Sequence, residues 1–202
     1  MKRSVKAVST RSERLNQQMR AASRRRILKA ALRLFASHGY AGTSIRMIAA
    51  SAGISVGLLY NYFPSKADVL TALFEQSMVD VRASFARADE ASTPRERIER
   101  LVRGAFEIVA GNRDFWRLSY GVRMQPAVVS GLGKQLRAWT MAIQSTLARY
   151  LEEAGSQRPE IDAALLFALI DGVSQHYVLD PGNYPLRAAA DEIITLFTRD
   201  LK

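Results

Sequence analysis

Few residues in this 202-residue chain could make or break bonds. There are two histidines and no cysteine. No H-E-x-x-H or glycine-rich phosphate loop occurs, so no metal-ligand set or phosphate cradle can be composed from sequence neighbours. One polar constellation interrupts an otherwise apolar helix pattern: Asp171, with Gln175 one turn on and His176 beside it. It could serve as an acid/base pair, as a ligand anchor, or as a polar network satisfied inside the fold. The chain is expected to be no enzyme and to need no metal and no cofactor.

A second group of residues is equipped for recognition. The run from Ser44 to Phe63 places Ile45, Ile48, Ala49 and Ala52 on one face of a short helix. Thr43 or Ser44 can cap its start, and Gly53 stands where a left-handed residue ends a helix. Ser55 caps a second short helix that Pro64 stops. Two short helices around a tight glycine turn predict a helix-turn-helix. At 100° per residue, Leu59 and Phe63 of the second helix face inward. Gly57, Leu58 and Asn61 lie opposite, with Val56 and Tyr60 on one edge and Tyr62 on the other. Phenol hydroxyls, an amide and a glycine that permits close approach make this a surface for contact. Periodicity by itself fits an ordinary corner of an all-α core equally well.

Charge separates these possibilities. Residues 1–66 hold 13 lysines and arginines against the single acid Glu13, a balance of +12 within a total of +10. Residues 67–202 come to −2. All the excess positive charge belongs to the end that carries the two short helices, the footprint of a polyanion-binding domain joined to a neutral one.

The run RRILKAALRLFASHGYAGTSIRMIAASAGISVGLLYNYFPSKADVL, starting at Arg25, resembles the tetracycline-repressor (TetR/AcrR) family of bacterial transcriptional regulators. The matching pieces include Gly39-Tyr40, Thr43-Ser44, Ile48-Ala49, Ala52-Gly53-Ile54-Ser55, Gly57, Leu59-Tyr60, Tyr62-Phe63 and Ser65-Lys66, in order and at the family's spacing. The resemblance implies that Thr43, Ser44, Tyr60, Tyr62 and Lys66 grip phosphates of double-stranded DNA. Arg46, Val56, Gly57, Leu58 and Asn61 match positions from which bases are read, and Ser55 joins the DNA-facing set at the helix start. Only Arg46 and Asn61 hydrogen-bond base edges well, so shape readout should carry part of the specificity.

The elements that must hold these residues are all helical. The expected fold is all-α: a basic disordered arm over 1–22, a helix-turn-helix domain over 23–68, and a larger domain over 69–202. The arm, with Lys2, Arg3, Lys6, Arg11, Arg14 and Arg20, could track phosphates or remain a solvated tail. Ser65-Lys66-Ala67-Asp68 is a capping box opening a helix that should run to about Ala88. Thr93-Pro94-Arg95-Glu96 opens another. Gly121 to Gly133 reads as a broken connection or a short helix, followed by a long helix from Lys134 to Ala154. The last two helices run from Pro159 to about Leu179 and from Pro185 to about Leu201.

In the larger domain, Phe74, Met78, Phe106, Trp116, Tyr120, Met124, Trp139, Phe167 and Tyr177, with Asp171 as polar anchor, are the candidate lining of a ligand pocket. The helix from Pro159 is apolar nearly all round and needs cover on every side. By resemblance the last two helices pair with a second subunit, through Ile161, Leu165, Leu169, Val173, Leu186, Ile193 and Phe197. The expected protein is a cytoplasmic homodimer with no membrane partner, a regulator released from a palindromic operator by a small apolar or amphipathic effector. The competing expectation is a DNA-bound structural or protein-interaction factor with no inducer. An open apolar cavity in the larger domain would favour the former, a filled core the latter.

Overall fold

The computed structural model describes the backbone of residues 2–199, with side-chain surroundings from residue 14 onward except at 127, 129 and 130. Among the described residues all regular structure is helical: α1 (Lys2–Gly42), α2 (Ile45–Ala52), α3 (Val56–Tyr60), α4 (Lys66–Asp89), α5 (Pro94–Gly111), α6 (Arg113–Val122), α7 (Pro126–Glu153), α8 (Pro159–Leu179) and α9 (Leu186–Thr198). None is long and apolar enough to cross a membrane. Contacts divide the chain into two units, the break falling inside α4 between Leu73 and Phe74.

In the first unit α1 buries Ile27, Leu28, Ala30, Ala31 and Phe35. It kinks at Gly39, whose φ of 72° lies in the left-handed region that a side chain disfavours. The helix begins at Lys2, so the stretch 1–22 expected as a disordered arm is helical from its second residue onward. Charged and polar residues there leave no apolar face to reveal the helix by periodicity, and propensity carries it instead. The side chains of Lys2, Arg3, Lys6 and Arg11 lie outside the described residues.

In the second unit α5 packs against α6, α7, α8 and α9, and α7 runs along α8. Their shared core includes Ile98, Leu101, Val102, Phe106, Leu147, Tyr150, Leu151, Leu166, Ile193 and Ile194. The helix expected from Lys134 starts eight residues earlier. Pro126 occupies its first turn, where a missing N–H costs nothing, and Val128 and Leu132 are buried, which outweighs the glycines at 131 and 133. Thr93 caps α5 through Glu96 N–H at 3.1 Å, and the Glu96 carboxylate accepts from Ser92 N–H at 2.8 Å. The described part of α9 closes at Thr198, and the expected helix end at about Leu201 lies outside the described residues.

Candidate nucleic-acid interface and ligand cavity

The short helices α2 and α3 are set by their caps. Ser44 Oγ accepts from Met47 N–H at 3.2 Å, and Ser55 Oγ from Leu58 N–H at 3.1 Å. Between them Gly53 takes φ 65° and ψ 40°, and Gly53 and Ile54 N–H groups bond back to Ala50 and Ala49 carbonyls, each at 3.1 Å. Leu59 and Phe63 are buried, while Gly57, Leu58, Tyr60 and Asn61 are exposed and Val56 and Tyr62 half-buried. Five DNA-facing candidates thus share one outward strip of α3 and its C-terminal turn, with Tyr62 at the edge. Arg46, Ser44 and Ser55 are exposed beside it. Arg20 lies 5.8 Å from the Tyr62 ring centroid and Arg24 5.2 Å from that of Phe63, extending positive charge along this unit.

Two expected phosphate ligands have other duties. Thr43 is 1% exposed, and its hydroxyl lies within donating distance of the Leu34 and Gly39 carbonyls at 3.1 and 2.8 Å. Its side chain is therefore a lock on the α1 kink, closed to any phosphate. Lys66 Nζ donates to the Tyr40 and Thr43 carbonyls at 2.7 and 2.8 Å and stands 4.4 Å from the Tyr40 ring centroid. Burial pulls the Lys66 pKa below the ordinary lysine value. An ammonium has three protons, so one remains for an anion.

The second unit encloses a cavity of about 170 Å³ between α4, α5, α6, α7 and α8. Phe74, Met78, Val81 and Phe85 of α4 form one wall, at helical spacing. An aromatic chain continues around it. Trp139 stacks on Phe74 at 6.1 Å, Phe74 meets Phe115 edge-on at 5.2 Å, and Trp116 lies 5.3 Å from Phe115 and 6.0 Å from Tyr120. At the far end the Arg123 guanidinium covers the Tyr120 ring at 4.8 Å and donates to both Asp171 oxygens, at 2.9 and 3.1 Å. Ser119 and Ser174 complete this polar end.

The family model "Bacterial regulatory proteins, tetR family" matches residues 27–73, and "Tetracyclin repressor-like, C-terminal domain" matches 93–200. The chain belongs to the TetR family of DNA-binding transcriptional regulators. The fatty acid metabolism regulator protein of Bacillus subtilis is 23% identical over 177 residues, 84% of this chain and 91% of its own. A TetR-like regulator from Rhodococcus sp. RHA1 superposes with a TM-score of 0.75 at 28% identity, covering 89% of this chain and 95% of that one. The Bacillus subtilis regulator FadR in complex with stearoyl-CoA gives a TM-score of 0.72 at 20% identity, over 88% and 98%.

For this TetR-family chain the structure brings seven of the ten pocket candidates to one cavity: Phe74, Met78, Trp116, Tyr120, Trp139, Phe167 and Asp171. Three fall elsewhere. Phe106 points into the α5 core, Met124 is 87% exposed, and Tyr177 is half-buried off the cavity wall. The Asp171 constellation also separates: Asp171 pairs with Arg123, while Gln175 is exposed and the His176 ring stacks on Tyr184 at 6.1 Å. Arg123, Ser119 and Ser174 were not foreseen. A serine on the apolar face of each helix was the available signal for the last two, whereas Arg123 is found only through its partner 48 residues on.

The expected subunit seam divides too. Ile161, Leu165 and Leu169 are exposed along α8, at 54%, 52% and 39%. Ile193 is 3% exposed and belongs to the core of its own chain, on which Val173, Leu186 and Phe197 are also half-buried. The inward side of α9 is thereby spent on this core, and Leu196 is its exposed apolar residue.

Proposed function

We propose that this protein is a homodimeric repressor that leaves a palindromic operator when a small apolar or amphipathic molecule fills the α4–α8 cavity. The observation that carries this is one helix: α4 has Lys66 as its first residue and Phe74, Met78, Val81 and Phe85 on the cavity wall. Lys66 precedes Met78 by about 18 Å of helix. A molecule pressing on that wall biases a rod whose other end is tied to the start of α2 through Lys66. The open apolar cavity supports this reading over an inducer-free DNA-bound factor, as does the stearoyl-CoA carried by the FadR structure of similar fold.

Pairing through α8 supports the palindrome. Ile161, Leu165 and Leu169 recur every four residues, and an apolar stripe of that kind is covered by a second copy in a two-fold dimer. Two reading units then meet half-sites whose centres are about 34–36 Å apart, or a multiple of that. The test is selection of binding sequences from random duplexes, followed by footprinting. Dyad-symmetric protection is expected, and a selected consensus without dyad symmetry would overturn the proposal.

A further inference from the structure

Taking ligand control as given, the polar end of the cavity restricts the kind of molecule that can enter. The cavity residues of α6 and α8 and the adjoining Arg123 bring two groups that only donate, Trp116 Nε1 and the Arg123 guanidinium, and two hydroxyls that can donate, those of Ser174 and Tyr120. Trp116 Nε1 is buried with no protein partner, and Ser174 Oγ, in a residue 1% exposed, has the Tyr120 hydroxyl beside it. Burial, reinforced by the Asp171 charge, pushes the Tyr120 phenol far above its ordinary range, so it keeps its proton and remains a donor. The one carboxylate is already engaged, both Asp171 oxygens accepting from Arg123 Nη1. Charge in the site therefore cancels while donor capacity does not.

Each class of guest meets this end differently. An uncharged molecule with a carbonyl oxygen gains donors without disturbing the ion pair. A carboxylate must share Arg123 with Asp171, setting two like charges beside one cation, or displace Asp171 altogether. Solvent moderates that conflict, since the Arg123 and Asp171 side chains are 31% and 29% exposed, but does not reverse its sign. A pure hydrocarbon leaves the buried Trp116 N–H as unpaired as before.

We propose that the effector is an electrically neutral apolar molecule bearing a carbonyl oxygen (a ketone, ester, thioester or amide), and that the Arg123–Asp171 pair selects against the free acid of the same skeleton. The probes are methyl nonanoate and decanoate, which have the same number of heavy atoms and differ in charge. Calorimetric titration of the full chain should show the ester binding about tenfold tighter or more. Asp171→Asn keeps the shape, removes the negative charge, and should close the gap by strengthening decanoate. Decanoate binding as tightly as the ester, or a ratio unmoved by Asp171→Asn, would overturn the assignment. If neither probe binds while other lipophilic compounds release DNA, the head-group assignment fails and ligand control stands. If no lipophilic compound binds, both fall together.

Discussion

The Lys66 ammonium donates to the Thr43 carbonyl oxygen at 2.8 Å, tying the first residue of α4 to the turn ahead of α2. A substitution here acts twice, removing a charge from the DNA-facing unit and taking the Lys66 donor from the Tyr40 and Thr43 carbonyls. Lys66→Ala should lower stability by about 1 kcal/mol. It should also weaken binding to all DNA sequences alike, with a shallower dependence on salt. Urea unfolding and anisotropy titrations over a salt series measure the two effects. An unchanged unfolding midpoint would mean that the strut carries no load.

The α3 strip separates affinity from specificity. Tyr60 is exposed on this strip, and Tyr60→Phe should reduce affinity evenly across sequences. Asn61→Ala should instead relax preference at one position per half-site, by about 1–3 kcal/mol. Competition between single-base operator variants distinguishes them. Identical profiles for both variants would remove Asn61 from base reading.

For the proposed α8 seam, burial within the chain decides which variants are informative. Leu165→Glu or Leu169→Glu should give a folded monomer, because both side chains are already exposed in a single subunit. Ile193→Glu should instead unfold the domain, since it buries an unpaired carboxylate in the core at a cost of several kcal/mol. Light scattering with circular dichroism reads both. A Leu169→Glu protein that remains dimeric would place the seam elsewhere.

Tyr150 supplies an alkaline limit. Its hydroxyl donates to Asp89 at 2.6 Å, and burial, followed by that hydrogen bond, pushes the phenol up to about 12. The folded state holds this proton more tightly than the unfolded chain, whose tyrosine titrates near 10. The resulting stability is complete below about pH 10 and is lost as pH rises toward 12. Tyr150→Phe should therefore be less stable than the parent at neutral pH by about 1 kcal/mol, with the gap shrinking across that window. Urea midpoints over the alkaline range decide it, and a constant gap would contradict the assignment.

Local chemistry accounts for what could be read without coordinates. Ser44, Gly53, Ser55 and Thr93 each fix a helix end through bonds to residues within five positions, so their roles follow from spacing. The inward turn of Leu59 and Phe63 follows from a 3.6-residue period in the same way. Long-range relationships were hidden. Nothing near Thr43 in the chain says that its hydroxyl serves the Leu34 carbonyl, and nothing near Asp171 names Arg123. Phe106 and Ile193 were indistinguishable from cavity or interface residues, because an apolar side chain looks the same whether it meets a core, a ligand or a second subunit. The helix over residues 2–22 escaped notice because periodicity reveals a helix through its apolar stripe, and a run of charged and polar residues carries none.

Ligand control of DNA binding is tested most directly by one titration on the preformed complex. Fluorescently labelled selected operator, bound to the 202-residue chain, is titrated with a lipophilic compound first shown to raise the protein's melting temperature. Anisotropy should fall to that of free DNA, and operator should weaken the compound's affinity by the same factor by which the compound weakens the operator's. A compound that stabilises the protein yet leaves the operator complex intact at saturation would contradict the switch.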